Sequence, residues 1–122
     1  MTQYQFVKGY QALCRFASGV SLPARAAFDT FMLKKKLEPV YMARVETEKS
    51  IIAECGGTIG ENGTPAFPGK AEAQAYRDSM IELSELEVKE TFEPIKISCT
   101  LLGDQMILPS DIEDLNGFIT FE

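Results

Sequence analysis

Residues 55–73, CGGTIGENGTPAFPGKAEA, crowd five glycines and two prolines into one stretch. Glycine loses the most backbone freedom in a helix and proline lacks the amide donor, so no helix crosses it. The sequence on either side is helix-compatible. Upstream, Ser21 can cap and Pro23 suits a first turn. Phe28, Met32 or Phe31, Leu37, Val40, Tyr41, Val45, Ile52 and Cys55 then approximate a helical stripe. Downstream, residues 70–93 contain no glycine or proline, and Ala71 or Ala75, Tyr76, Met80, Leu83 and Leu86 recur on one face. The stretch therefore predicts a turn between two long helices, residues 22–54 packed against 70–90. Pro39 is the flaw in the first helix and predicts a kink or break near 35–38.

The flanks are shorter. Tyr4 to Val7 alternate as a short strand would, and Tyr10, Leu13, Cys14 and Phe16 or Ala17 follow at helical spacing up to Gly19. Pro94 stops the second long helix, IKISCTLL at 95–102 reads as a strand, and MIL at 106–108 as a second short one. In the tail LPSDIEDLNGFITFE, Ser110 and Glu113 have the spacing of a capping box and Gly117 stands at the expected helix end. Leu115, Phe118, Ile119 and Phe121 read as core anchors. The fold class expected is mainly α (α+β): a long helical hairpin, a small β element near 95–108 and a short C-terminal helix, in one domain over residues 1–122.

Composition closes off most chemistry. The chain of 122 residues has 45% apolar and 25% charged residues, which is enough for one core. No apolar run reaches the length of a membrane span, and MTQYQFVKGY lacks the order of a signal peptide, so a cytoplasmic, membrane-free protein is expected. There is no histidine, which removes Ser-His-Asp and Cys-His catalysis and the usual proton shuttle near neutral pH. Cys14, Cys55 and Cys99 are odd in number and widely spaced, so they are expected reduced, with no zinc site. No other spaced ligand set suggests a metal, and no cofactor or catalytic residue is expected. The segment GTPAFPGK fails as a phosphate loop: five residues separate Gly63 from Gly69-Lys70, Ala71 replaces the hydroxyl, and the preceding element is a helix.

The net charge of -6 conceals a gradient. Residues 1–45 carry seven bases and two acids, +5, whereas residues 46–122 carry five bases and sixteen acids, -11. Lys34, Lys35 and Lys36 lie 100° apart around a helix and the whole chain repels phosphate, so direct nucleic-acid binding is not expected. A small anionic ligand would find its best partners in Arg25 and Arg44, whose guanidinium forks make paired hydrogen bonds. Lys70 and Arg77 join them on one face at the start of the second long helix. Phe67, between two prolines, would anchor a contact made by the loop. Two amphipathic helices with apolar positions spread beyond a narrow face further predict a symmetric homo-oligomer.

The order of ASGVSLPARAAF, a long basic helix, a glycine-containing loop, the acidic ELSELEVKE and the closing LPSDIEDLNGFITFE resembles a family of short proteins of unknown function. That family is found in tailed phages and prophages of Gram-positive bacteria. The match is most specific at the tail, where the Ser-Asp-Ile-Glu-Asp-Leu helix leads into Phe118, Ile119 and Phe121; Pro39 and the long 55–69 loop depart from it. The resemblance implies a non-enzymatic accessory protein in the host cell cytoplasm. It would block a host component, as a counter-defence inhibitor or a sequesterer of a small anionic signal molecule. A virion or tail-assembly component is the alternative, and a small enzyme without histidine chemistry the third.

Overall fold

In the computed structural model, which describes residues 1–122, the first helix starts at once. The Thr2 hydroxyl accepts from the Gln5 amide at 3.2 Å, and the Gln5 side chain accepts from the Thr2 amide at 2.9 Å. This reciprocal capping box satisfies two of the amides a helix start leaves free, and helix α1 runs Gln3–Gly19. The strand expected at Tyr4 to Val7 is therefore helical. Helix α2, Ala24–Glu54, passes through Pro39 without a break and spans about 46 Å at 1.5 Å per residue. Pro39 is exposed, so the carbonyl it leaves without a donor can be hydrated, and the break expected near 35–38 is absent.

The glycine-rich stretch is itself folded. Strands β1 (Thr58–Ile59) and β2 (Pro65–Ala66) pair antiparallel, and Gly63 takes φ +78°, which suits glycine. Helix α3 covers Lys70–Glu85, five residues shorter than the expected 70–90. It stops because the following backbone is used elsewhere: Leu86 O accepts from the Gln3 amide at 2.7 Å, and the Val88 amide donates to Met1 O at 2.9 Å. Strand β3 is only Ile95–Ile97, and a 3-10 turn at Cys99–Leu102 replaces the rest of the expected strand. Residues 106–108 form no strand. The partner of β3 is β4, Ile119–Phe121, in parallel register. Between them lies α4, Pro109–Asp114, with Leu108 at its N-cap and Pro109 in the first turn. Ser110 is thus already inside the helix, and the capping box expected there does not form.

The fold is mainly α, with a long helix pair, two small sheets and a short C-terminal helix. Its core, however, is built on α1. Phe6, Tyr10, Ala12, Leu13 and Phe16 pack with Leu33 and Leu37 of α2, Ile97 of β3, and Leu115, Phe118 and Ile119 from the tail. The rings of Phe6 and Phe92 lie 5.9 and 5.2 Å from that of Phe118. Gly9 makes room for the same ring: a Cβ there would stand 2.0 Å from Phe118 Cε2. Helix α3 has no fully buried residue, and Leu86, expected inward, is exposed. The buried positions of α2 are Thr30, Leu33, Leu37, Arg44 and Ile52, while Phe28, Phe31 and Met32 face solvent, contrary to the expected stripe.

Candidate functional site

The five residues expected to meet a ligand do not share one place. Arg25, 93% exposed, sits in the first turn of α2 with Asp29 at 3.9 Å. Lys70 opens α3 beside the other end of α2, about 40 Å away along a helix rising 1.5 Å per residue. The pocket joining these two bases is absent from the chain. Lys70 makes no ion pair. The α3 start is approached by the chain's own anion, because a Cβ on the N-cap Gly69 would lie 2.7 Å from the Glu72 carboxylate. Arg77 is exposed and donates to Gln74 at 3.3 Å.

Phe67 is not a free anchor. It is half-buried, its ring is 4.9 Å from that of Tyr76, and it covers Gly57, where a Cβ would stand 2.4 Å from Phe67 Cε1. Its work is to clip the loop onto the α2–α3 arm.

Arg44 is the exception. Its side chain is only 6% exposed, and it pairs one turn along α2 with Glu48. Tyr76 lies close to this pair. Burial pushes its hydroxyl pKa up and Glu48 adds to the rise, whereas Arg44 opposes it. The buried Arg44 Nε has no hydrogen-bond partner, and neither does the buried Gln3 Oε1. Both side chains line one cleft of about 650 Å3 between the start of α1, the middle of α2 and the end of α3. Pro39, Val40, Ala43, Leu83 and Leu86 give it apolar walls, and Glu87, Lys89 and Glu90 stand among its polar lining. Gln3 carried no signal in the sequence, because a glutamine in a first helical turn is ordinary there.

A second feature, also unforeseen, is the outer face of α2. At 100° per residue, Phe28, Phe31, Met32 and Met42 fall within an arc of about 100°, opposite the buried positions. All four are exposed, Phe28 the most at 61%. Lys34 and Lys36 flank the arc on its two sides, and Lys35 lies over the Phe31 ring at 5.8 Å. Lys35 pairs loosely with Glu38 at 3.8 Å, whereas Lys34 and Lys36 make no ion pair. The apolar residues were legible individually, but the sequence pattern assigned them to the core. Exposed apolar side chains also mark the loop before α4, where Met106 is 97% exposed and Leu108 66%.

Several carboxylates have partners within the fold. Asp111 receives Arg15 at 2.8 Å, tying α4 to α1, and Glu46 receives Lys49 at 3.4 Å. The three cysteines are free, and no helix is long and apolar enough to cross a membrane. Comparison with protein-family models, with curated proteins and with solved structures finds no match to this chain.

Proposed function

We propose that the protein is a non-enzymatic binding protein that captures an acidic amphipathic helix of a host protein on the outer face of α2. The observation that carries this reading is the apolar arc Phe28, Phe31, Met32 and Met42, flanked by Lys34 and Lys36 on a chain of net charge -6. A helix with an apolar stripe and acidic flanks would bury the two phenyl rings and both methionines, and would set its carboxylates against the lysines. Aromatic and Met side chains supply contact energy at interfaces, and charge pairs at the rim supply orientation and encounter rate. The weak pairs of Arg25 with Asp29 and Lys35 with Glu38 leave a positive excess along this face. The resemblance to short phage proteins supplies the setting, an accessory protein that occupies a host component in the infected cell.

The test uses two synthetic helical peptides with the same leucine stripe, one flanked by glutamates and one by lysines. The glutamate peptide is expected to bind, to weaken as salt rises, and to be lost with the double variant Phe28→Glu, Met32→Glu. Equal binding of the lysine peptide, or no binding of either, would reject the reading. Light scattering on the same samples adds a further outcome: a dimer abolished by the double variant would show that a second copy covers this face, and would also reject it.

A further inference from the structure

We infer that the helix captured on the outer face of α2 holds on by one aromatic anchor, a phenylalanine with a glutamate one turn away, seated in a pocket beside Phe31. The inference rests on the reading of that face as a docking surface. The pocket measures about 180 Å3 and lies between the end of α1, the link into α2 and the first turns of α2. Val20, Leu22, Ala27 and Phe31 give it apolar walls. The two hydroxyls in its lining are committed within their own helices: Ser18 Oγ donates to Cys14 O at 3.0 Å, and Thr30 Oγ1 to Ala26 O at 2.8 Å. Lys34 is the one charged residue of the lining, half-buried and without an ion pair. A phenyl ring matches this space, since an apolar cavity of about 150 Å3 accepts benzene, whereas a leucine would leave part of it empty. Phe31 also offers the incoming ring an aromatic neighbour.

Charge decides on which side of the arc the anchor enters. At 100° per residue, Ala27, Phe31 and Lys34 lie along one edge of the apolar arc, and Asp29, Met32 and Lys36 along the other. The hollow on that other edge, about 870 Å3, has Asp29 and Glu93 in its lining beside Lys36, which opposes an acidic helix. No carboxylate lines the pocket at Lys34. Residues three or four apart share one face of a helix, so a glutamate one turn from the seated phenylalanine would meet Lys34, whose long stem carries its ammonium clear of the apolar wall. The pocket is also fixed in advance. The Ser21 amide donates to Gln105 Oε1 at 2.7 Å and Gln105 Nε2 to Ser21 O at 2.9 Å, which holds the link that carries Val20 and Leu22.

The test extends the glutamate-flanked leucine peptide to a labelled set in which each leucine of the stripe is replaced in turn by phenylalanine, with binding to the whole chain read by fluorescence anisotropy. One member is expected to bind at least about threefold more tightly than the parent. Ala27→Leu, which fills the pocket from an exposed helical position, should erase that gain while the parent peptide still binds. Lys34→Gln should weaken the phenylalanine peptide at least about twofold more than Lys36→Gln does. The anchor is overturned, with the docking face left standing, if the parent binds but no member of the set binds more tightly, if the gain survives Ala27→Leu, or if the two lysine variants lose equally. Failure of the parent and of the whole set to bind would remove the docking face and the anchor together.

Discussion

The two ends of this molecule are held together by different means. At one end α1 buries Phe6, Tyr10, Ala12, Leu13 and Phe16 against α2, β3 and the C-terminal tail, with Gly9 allowing the Phe118 ring to lie on the helix backbone. At the other, the end of α2, the β1–β2 turn and the start of α3 are joined by Phe67 against Tyr76 and Gly57, and the one buried apolar residue of that region is Ile52. Both ends have regular secondary structure, so hydrogen bonding does not distinguish them. The difference is apolar area removed from water, which sets how much free energy each end loses when it opens.

The largest effect is expected at Phe118. Phe118→Ala removes a ring that touches Phe6, Phe92 and the Gly9 backbone, and should cost about 3–5 kcal/mol against a total stability of about 5–15 kcal/mol. Urea unfolding would show the loss as a lowered midpoint for the whole chain. Phe67→Ala should cost less, about 1–2 kcal/mol, and act locally. Hydrogen exchange is expected to quicken over residues 58–79 while α1 keeps its protection. Equal quickening in α1 would mean that the arm and the core open together.

A second pair of variants compares two helix starts. Thr2→Ala removes a formed capping box and should cost about 1 kcal/mol, whereas Ser110→Ala, beyond the cap of α4, should change stability by less than about 0.5 kcal/mol. The last effect is confined to alkaline pH. Burial pushes the Tyr10 hydroxyl up to about 12, with Cys14 adding to the rise, from an ordinary value of 10.0. The unfolded chain therefore releases this proton first, and the stability that Tyr10 contributes is intact below pH 10 and lost as pH climbs towards 12. Tyr10→Phe should flatten alkaline unfolding across that window.

The long helices, the turn between them and the anchoring role of the tail were legible because each rests on local signals: absence of glycine and proline, a glycine cluster, a run of aromatics. What escaped the sequence was relational. Thr2 and Gln5 form the capping box that Ser110 and Glu113 advertised, because Pro109 begins α4 one residue before Ser110 and Leu108 takes the cap position. The face of α2 that turns inward at Thr30 and Leu33 is chosen by where α1 lies. Periodicity alone, with Phe28 and Met32 in helical register, selected the opposite side. The candidate site fared likewise. Arg44 stood out by residue type, yet its meaning depends on Gln3 and Leu86, brought to it by a backbone pairing with no sequence signature. Gly9 was the one overlooked clue, since a glycine inside a helix costs about 1 kcal/mol relative to alanine unless something packs on it.

The parallel pairing of Ile95–Ile97 with Ile119–Phe121 also governs when the protein can take shape. Phe6 and Phe118 meet across about 110 residues of chain, so the contacts that close the core have a high sequence separation. During synthesis α1 can meet Leu33 and Leu37 of α2 early, but its contacts with Leu115, Phe118 and Ile119 wait until residues 115–121 have left the ribosome. The α2–α3 arm needs only residues up to Glu85 and can assemble sooner. The least buried part of the protein is thus able to form before the best-packed part is complete.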